Sequence, residues 1–296
     1  MKVGGQAIIE GVLMMGKNIS IAVRDNKGTI VVEEISKKTP TSSKLFKVIF
    51  LRGIISLYYS LYYGIYALDR ASEISSGQKM KKSETVSSLL LAIALAIGLF
   101  FILPILLTDL VKSLKGKEFV FSLVEGLIRL GLFLLYVYVI SFFKDVKRIF
   151  QYHGAEHMVI HTYESNEDLI VENVRKHSTI HPRCGTSFAM IFVIISIIIF
   201  SVLGSLTHLG LLGKIISRVI LIPVVVGFSY EFLRVSARGS RFMKILTSPG
   251  LVLQKLTTAT PDDSQIEVAI AALRKAVGEE DKTDHKKDNE GPEFFG

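Results

Sequence analysis

Four long apolar segments stand out along the chain, separated by two short links and one longer polar stretch. They occupy residues 87–108, 119–143, 187–208 and 212–233. Each is about as long as the ~20 residues with which an α-helix crosses a bilayer, and a helix satisfies its own backbone groups in lipid. The pattern predicts a mainly α, polytopic membrane protein with about four transmembrane helices, paired into hairpins at 87–143 and 187–233.

The chain before the first span predicts two further elements. Residues 1–43 contain two β-rich runs around a D-N-K-G turn, so a small soluble β element with a hairpin is expected. Residues 44–69 follow, but their uncharged run after Arg52 is about 16 residues long, too short to cross. Tyrosines at helical spacing, such as Tyr58 and Tyr62, suit the headgroup layer, and this segment is predicted to be an interfacial helix.

The distribution of charge matters more than its formal net value of +8. Basic residues cluster beside the apolar segments, at Lys79, Lys81, Lys82, Lys144, Lys147, Arg148, Arg234, Arg238 and Arg241. By the positive-inside rule they place both termini and residues 144–186 on the cytoplasmic side of the cell membrane. The lipid bilayer is therefore the expected partner, and nucleic acid is not.

Two charged residues, Glu125 and Arg129, stand four apart inside the second span, on one face of the predicted helix. Charges within a membrane are costly and often mark functional sites. Their mutual pairing is nevertheless a sufficient structural reason for both, and the structural interpretation is preferred.

Residues 234–277, after the last span, predict a cytoplasmic segment that ends in an amphipathic helix. Thr260 is expected to cap this helix and Pro261 to take its first position. Its apolar stripe comprises Ile266, Ala269, Ile270 and Leu273. The stripe must dock on the soluble part of the chain, a second subunit or the membrane surface, and the charged tail at 278–296 is expected to be disordered.

The string QYHGAEHMVIHTYE carries the clearest chemical signal in the chain. His153 and His157 stand four apart, so both imidazoles would share one helical face and could bind one metal ion. Glu156 lies between them, which completes H-x-x-E-H, the inverted form of the zinc-protease signature. In that chemistry the glutamate is the general base for a water activated by Zn²⁺. Glu156 is therefore the predicted catalytic residue.

A second string, STIHPRCGTSF, brings further candidate ligands in a Pro- and Gly-containing turn. His181 and Cys184 could complete a His₃Cys set, which would be closed as structural zinc sites are. A catalytic site keeps one position open, so in that case only one of these two binds. His161, Glu164 and Glu172 are further possible ligands, and the third ligand stays undecided.

The chain resembles the YqhQ-like family of bacterial membrane proteins, a family of predicted metal-dependent enzymes. The resemblance rests on GGQAIIEGVLMMG, YHGAEH, HPRCGTSF and PDDSQIEVAIAAL. It implies a metal-dependent activity that uses the residues of the two central strings. It also draws attention to Gln6 and Glu10, which either reach the metal or belong, as we prefer, to a glycine-rich turn that enters a buried strand.

These observations favour a membrane-embedded, zinc-dependent hydrolase, in the first instance a protease, acting on a membrane-embedded peptide or a lipid. The alternative is a non-enzymatic scaffold, assembly factor or channel with a structural metal site. A transporter would require more polar residues within the spans and the room that a homo-oligomer could provide. Nucleotide-driven chemistry is not expected, because no phosphate-binding glycine motif is present.

Overall fold

The computed structural model describes residues 3–35, 48–79, 81–114, 116–236 and 241–278. Four strands, β1 (Gly4–Ile8), β2 (Gly11–Met15), β3 (Ile19–Arg24) and β4 (Ile30–Ile35), form an antiparallel sheet in that order. The helices are α1 (Leu51–Ser76), α2 (Lys82–Ile97), α3 (Leu103–Asp109), α4 (Glu118–Ile140), α5 (Lys144–Glu164), α6 (Val171–Val174), α7 (Gly185–Leu206), α8 (Leu211–Ile220), α9 (Ile222–Ser236), α10 (Arg241–Thr257) and α11 (Asp263–Val277). The predicted disordered tail lies, apart from Gly278, outside the described residues.

The sheet is covered by helices on both faces. Val12 and Met14 of β2 belong to a core shared with α5 and α11, whereas Leu13 and Met15 pack against α1. Neighbouring side chains on a strand point to opposite faces, so β2 is apolar along its whole length. The predicted β element is thus the middle layer of a domain built from both ends of the chain and its centre.

The interfacial helix predicted at 44–69 is α1, which continues to Ser76; residues 44–47 lie outside the described ranges. Within those ranges α1 is not among the helices long and apolar enough to cross a membrane. Its second half packs on the sheet through residues such as Tyr63 and Ala67. Its location in the headgroup layer stays a prediction.

The apolar segments form the expected membrane-spanning helices. Ser83–Asp109, α4 and α7 are each long and apolar enough to cross, and α8 with α9 would form a fourth span bent by 47°. Pro223 in the first turn of α9 lacks the N–H that would continue the hydrogen-bond ladder of α8, and this explains the break. The mainly α, polytopic architecture with about four spans is confirmed.

The intramembrane charges form a cluster of three residues. Glu125 pairs with Arg129, as predicted, and also with Arg218, whose Nη2 lies 2.7 Å from Oε2 of Glu125. Arg218 lies in α8, within the predicted fourth span, and its side chain is buried in the bundle. Its pairing with Glu125 was not predicted from the sequence.

Helix α11 docks on the soluble part of its own chain, the first of the three options. Its apolar stripe is buried against α5 and the sheet. The predicted cap is wrong: Asp262 is the N-cap, since its carboxylate accepts from the Gln265 N–H at 2.9 Å while the Gln265 side chain accepts from the Asp262 N–H. This reciprocal pair is a capping box, so Thr260 and Pro261 precede the helix.

Candidate metal centre

Helix α5 presents the motif histidines toward the interior of the domain that the sheet forms with α5 and α11. This domain is predicted to lie outside the membrane and is called the soluble domain. His153 and His157 lie on one face, with ring centroids 4.3 Å apart. Both are buried, and Glu156 is only 3% exposed, because α5 packs between β1, α11 and the segment that precedes α7. These side chains are therefore enclosed by protein and do not form a solvated polar surface.

Cys184 joins this pair from the start of a membrane-spanning helix. It is the N-cap of α7, and its Sγ lies 3.0 Å from Nε2 of His153. One ligand atom from each of His153, His157 and Cys184 lies within 4.8 Å of the others. Two imidazoles and a thiol at this separation are a donor set that suits Zn²⁺.

The surroundings of Cys184 favour its thiolate. Burial acts to raise the pKa of the thiol, but the neighbouring His157 and hydrogen bonds from Thr186 hold that pKa below its ordinary value. The positive end of α7 acts in the same direction. For His157, burial lowers the pKa and so favours the neutral imidazole that binds metals.

The two histidines are oriented through their Nδ1 atoms. Nδ1 of His153 donates to the carbonyl of Thr257 at 2.8 Å, and Nδ1 of His157 donates to the carbonyl of Thr179 at 2.6 Å. A carbonyl only accepts, so each neutral ring carries its proton on Nδ1 and presents the lone pair of Nε2. Metal-binding histidines are held in this way by their outer partners.

Glu156 lies beside the three candidate ligands and is not fully paired. Its Oε2 is buried without a hydrogen-bond partner among the described residues, while the carboxylate accepts from the backbone N–H of Gly5. Burial raises the pKa of Glu156 to about 8, against the opposing effect of His153. A bound dication would supply the missing counter-charge.

Strand β1 reaches this carboxylate through Gly5. A Cβ atom at Gly5 would lie 3.0 Å from Cδ of Glu156 and 2.7 Å from the carbonyl of Leu13, so only glycine allows this approach. Gln6 and Glu10 point elsewhere: Gln6 bonds Ser60 on α1, and the carboxylate of Glu10 pairs with Arg148 on α5. Neither residue belongs to the group of candidate metal ligands.

His181 lies in a second, adjacent group. It approaches His161 and Glu164, and one ligand atom from each of the three lies within 4.8 Å of the others. Its Nε2 is 3.4 Å from Oε2 of Glu164 and its Nδ1 accepts from the backbone N–H of Arg183. Arg183 also pairs with Glu164. The hydrogen bond from His181, together with the charge and hydrogen bond of Arg183, lowers the pKa of Glu164 to about 2, although burial opposes the shift.

His181 is therefore a near neighbour of the first group, with its ring centroid 5.6 Å from that of His157, and not part of it. Glu172, a further candidate, lies in α6 and belongs to neither group.

Sequence reasoning missed Gln254, which holds the loop between His181 and α7. Its side chain accepts from the His181 N–H at 2.8 Å, donates to the His181 carbonyl at 2.9 Å and donates to Ser187 at 2.8 Å. Because Cys184 lies within this loop, Gln254 fixes the position of the thiol. The available signal was a glutamine directly after the apolar run at 251–253, where a polar side chain that becomes buried needs partners.

The fold and the site define a helical membrane protein whose soluble domain contains a buried His, His, Cys and Glu group. The model of a family described as "Protein of unknown function (DUF1385)" matches residues 48–279, and the chain belongs to this family. It is also similar to "Uncharacterized protein YqhQ" of Bacillus subtilis (strain 168), with 36% identity over 294 residues, 93% of this chain and 92% of the relative. These matches confirm the resemblance inferred from the motifs. No solved structure matches the chain.

Proposed function

We propose that the protein is a membrane-embedded, zinc-dependent hydrolase. His153, His157 and Cys184 would hold the ion, and Glu156 would serve as the general base. The observation that supports this most strongly is the grouping of three ligand atoms within 4.8 Å of one another beside a buried carboxylate with one unpaired oxygen. Three protein ligands leave a position open, as catalytic zinc sites do.

The chemistry follows from the placement of these groups. A zinc ion held by these residues would supply Lewis acidity, which would bring the pKa of water toward ~7. Glu156 would take a proton from the attacking water and deliver it to the leaving group. Gly5 holds the carboxylate by a backbone hydrogen bond, while the Thr257 and Thr179 carbonyls hold the imidazoles.

The position of the site favours a substrate that belongs to the membrane. The span α4 ends at Ile140, α5 begins at Lys144, and Cys184 is the N-cap of the span α7. The site therefore adjoins the start of α7 and lies on the helix that follows α4, on the side predicted to be cytoplasmic. A membrane-embedded peptide is the first candidate substrate, and a lipid is the second.

The competing proposal is a structural zinc site in a scaffold or assembly factor, and the proximity of His181 favours it. A rearrangement that freed His181 from Glu164 could close the site with a fourth ligand. Glu156 would then be a spectator.

The variant Glu156→Gln separates the two proposals. We expect reconstituted wild-type protein, incubated with membrane extracts, to generate new peptide or lipid products detectable by mass spectrometry. The Glu156→Gln variant should bind zinc equally well and generate none. Glu172→Gln, which alters a carboxylate outside both groups, is the matched control and should behave as wild type. Identical product profiles for wild type and Glu156→Gln would overturn the hydrolase proposal.

A further inference from the structure

A cavity of about 160 Å³ lies where the soluble domain meets the membrane helices. Its walls come from the first half of α1, the first turn of α7, and α9, with Gln6 of β1 at one side. On α1 the wall is made of small residues, Gly53, Ser56 and Ser60, which leave the space that larger side chains would fill. Phe188 and Tyr230 form the opposite, aromatic part.

The cavity adjoins the candidate metal centre through the first turn of α7. Gly185, which lines it, follows Cys184 in the chain, and consecutive Cα atoms are about 3.8 Å apart. Gln6 lines the cavity from the α1 face of β1, whereas Gly5 faces Glu156 on the opposite face. A group seated in the cavity would therefore be about one residue away from the thiol, with the edge strand β1 between it and the carboxylate.

The size of the cavity limits what it can hold. A dry, apolar cavity of about 150 Å³ accommodates benzene. The cavity would therefore hold a leucine or phenylalanine side chain, whereas a membrane acyl chain contains far more carbon atoms than this volume admits. The lining is mainly apolar, and the few polar groups have partners: Gln6 donates to Ser60 at 2.9 Å, and Ser56 lies 3.4 Å from the hydroxyl of Tyr230.

The cavity also has access from the lipid side. Leu61, which contributes to its rim, is 56% exposed and lies beside the exposed rings of Tyr58 and Tyr62 on α1. The wall opposite belongs to α9, part of the bent span, and α1 is fixed to α9 by the ion pair between Arg52 and Glu231. An apolar group could enter from the bilayer surface without crossing the soluble domain.

We propose that this cavity is a side-chain subsite that seats one leucine- or phenylalanine-sized residue of a membrane-borne peptide next to the metal centre. The inference rests on the proposed hydrolase function and makes its substrate a peptide. Seating one side chain there places the neighbouring peptide bond beside Cys184, at the border of the candidate metal centre. Selection for an apolar residue of limited size then follows from the cavity volume.

The test uses a photoactivatable probe and needs no metal. N-acetyl photoleucine methylamide, a leucine derivative with a diazirine in its side chain, is irradiated with the full-length protein in lipid nanodiscs, and the labelled residues are mapped by mass spectrometry. We expect labelling at 53–61 on α1 and at 185–188 on α7. N-acetyl leucine methylamide should compete, and the alanine analogue should not.

Variants of the lining residues test whether the probe is labelling from within the cavity. Ser56→Leu fills it from the α1 wall and should reduce labelling at least about tenfold, the order by which burying a leucine side chain shifts an equilibrium. Leu61→Trp narrows the rim and should act in the same direction. Leu68→Trp, at an exposed position on α1 outside the cavity, is the matched control and should leave labelling unchanged.

Three results would overturn the subsite: labelling spread over the lipid-facing surface, labelling unaffected by Ser56→Leu and Leu61→Trp, or labelling of the cavity by a diazirine fatty acid but not by photoleucine amide. The last result would assign the cavity to a lipid chain. Because the probe needs no zinc, loss of the metal by chelation would not change the readout, and failure of the hydrolase proposal can be told apart from failure of the subsite.

Discussion

Removing the charge of Glu125 is expected to destabilise the membrane bundle far more than removing either arginine that it binds. The carboxylate is 1% exposed, and the side chains of Arg129 and Arg218 are each 2% exposed. Arg129 also donates to the Phe100 carbonyl and to Ser196. These neutral acceptors orient the guanidinium but do not neutralise it, so one carboxylate balances two buried cations.

The size of the effect follows from this balance. Breaking a buried ion pair by removing one partner costs about 3–5 kcal/mol, because a buried charge is left uncompensated. Glu125→Gln leaves two such charges and should lie at the upper end of that range. Arg218→Met leaves Glu125 and Arg129 as a neutral pair, and it should cost no more than about 1–2 kcal/mol, since apolar replacement of a buried ion is often tolerated.

The free energy of unfolding of the purified protein, measured by titration with SDS in mixed micelles, checks this order. Glu34→Gln is the control, because the pair between Glu34 and Lys275 retains 44% and 41% exposure and should contribute about 0–1 kcal/mol. An Arg218→Met variant as unstable as Glu125→Gln would refute the charge-balance reasoning. So would a Glu125→Gln variant within about 1 kcal/mol of wild type.

Three further substitutions test the packing around the candidate metal centre and the cap of α11. Gly5→Ala should cost about 1–3 kcal/mol in thermal unfolding and weaken any activity, because its methyl group would displace the Glu156 carboxylate; wild-type behaviour would contradict the contact. Gly154→Ala should destabilise by a similar amount, since its Cβ would lie 2.2 Å from the Ala259 carbonyl; an unchanged melting temperature would show that α5 does not approach this segment. Asp262→Ala should cost about 1 kcal/mol through loss of the α11 cap; no change in urea unfolding would argue against the capping box.

The spans and the grouping of His153 with His157 were predictable because both depend on local spacing. An apolar segment long enough to cross a bilayer as a helix can be recognised without knowledge of its tertiary contacts. The i, i+4 spacing of His153 and His157 depends only on α5 being a helix. Cys184 was a candidate because it lies three residues after His181 in a turn that contains Pro and Gly.

Tertiary structure decided what sequence left open. His181 lies beside His161 and Glu164, and no spacing rule predicts these partners. The hairpin between β1 and β2 was missed because Glu10 takes a positive φ of 51° where glycine or asparagine is usual, so no turn signature marks it. The pair between Arg218 and Glu125 was missed because hydropathy cannot show that an arginine near a span end points inward.

The soluble domain also illustrates how non-local packing assembles a site. Its sheet comes from the start of the chain, α5 from the centre, and α11 from the end. Each element buries an apolar face that the others need, so none is expected to be stable alone. The candidate metal centre lies on the border of this domain, with Cys184 supplied by a span and Glu156 by α5.

The most direct test of the account is the zinc content of the detergent-purified protein, by elemental analysis, for wild type and for His157→Ala, Cys184→Ser and His181→Ala. The account predicts about one zinc per chain in wild type, its loss in His157→Ala and Cys184→Ser, and its retention in His181→Ala. Equal loss in His181→Ala would contradict the open three-ligand site and favour a structural one. Absence of zinc from all four proteins, even after zinc is supplied, would contradict the metal centre itself.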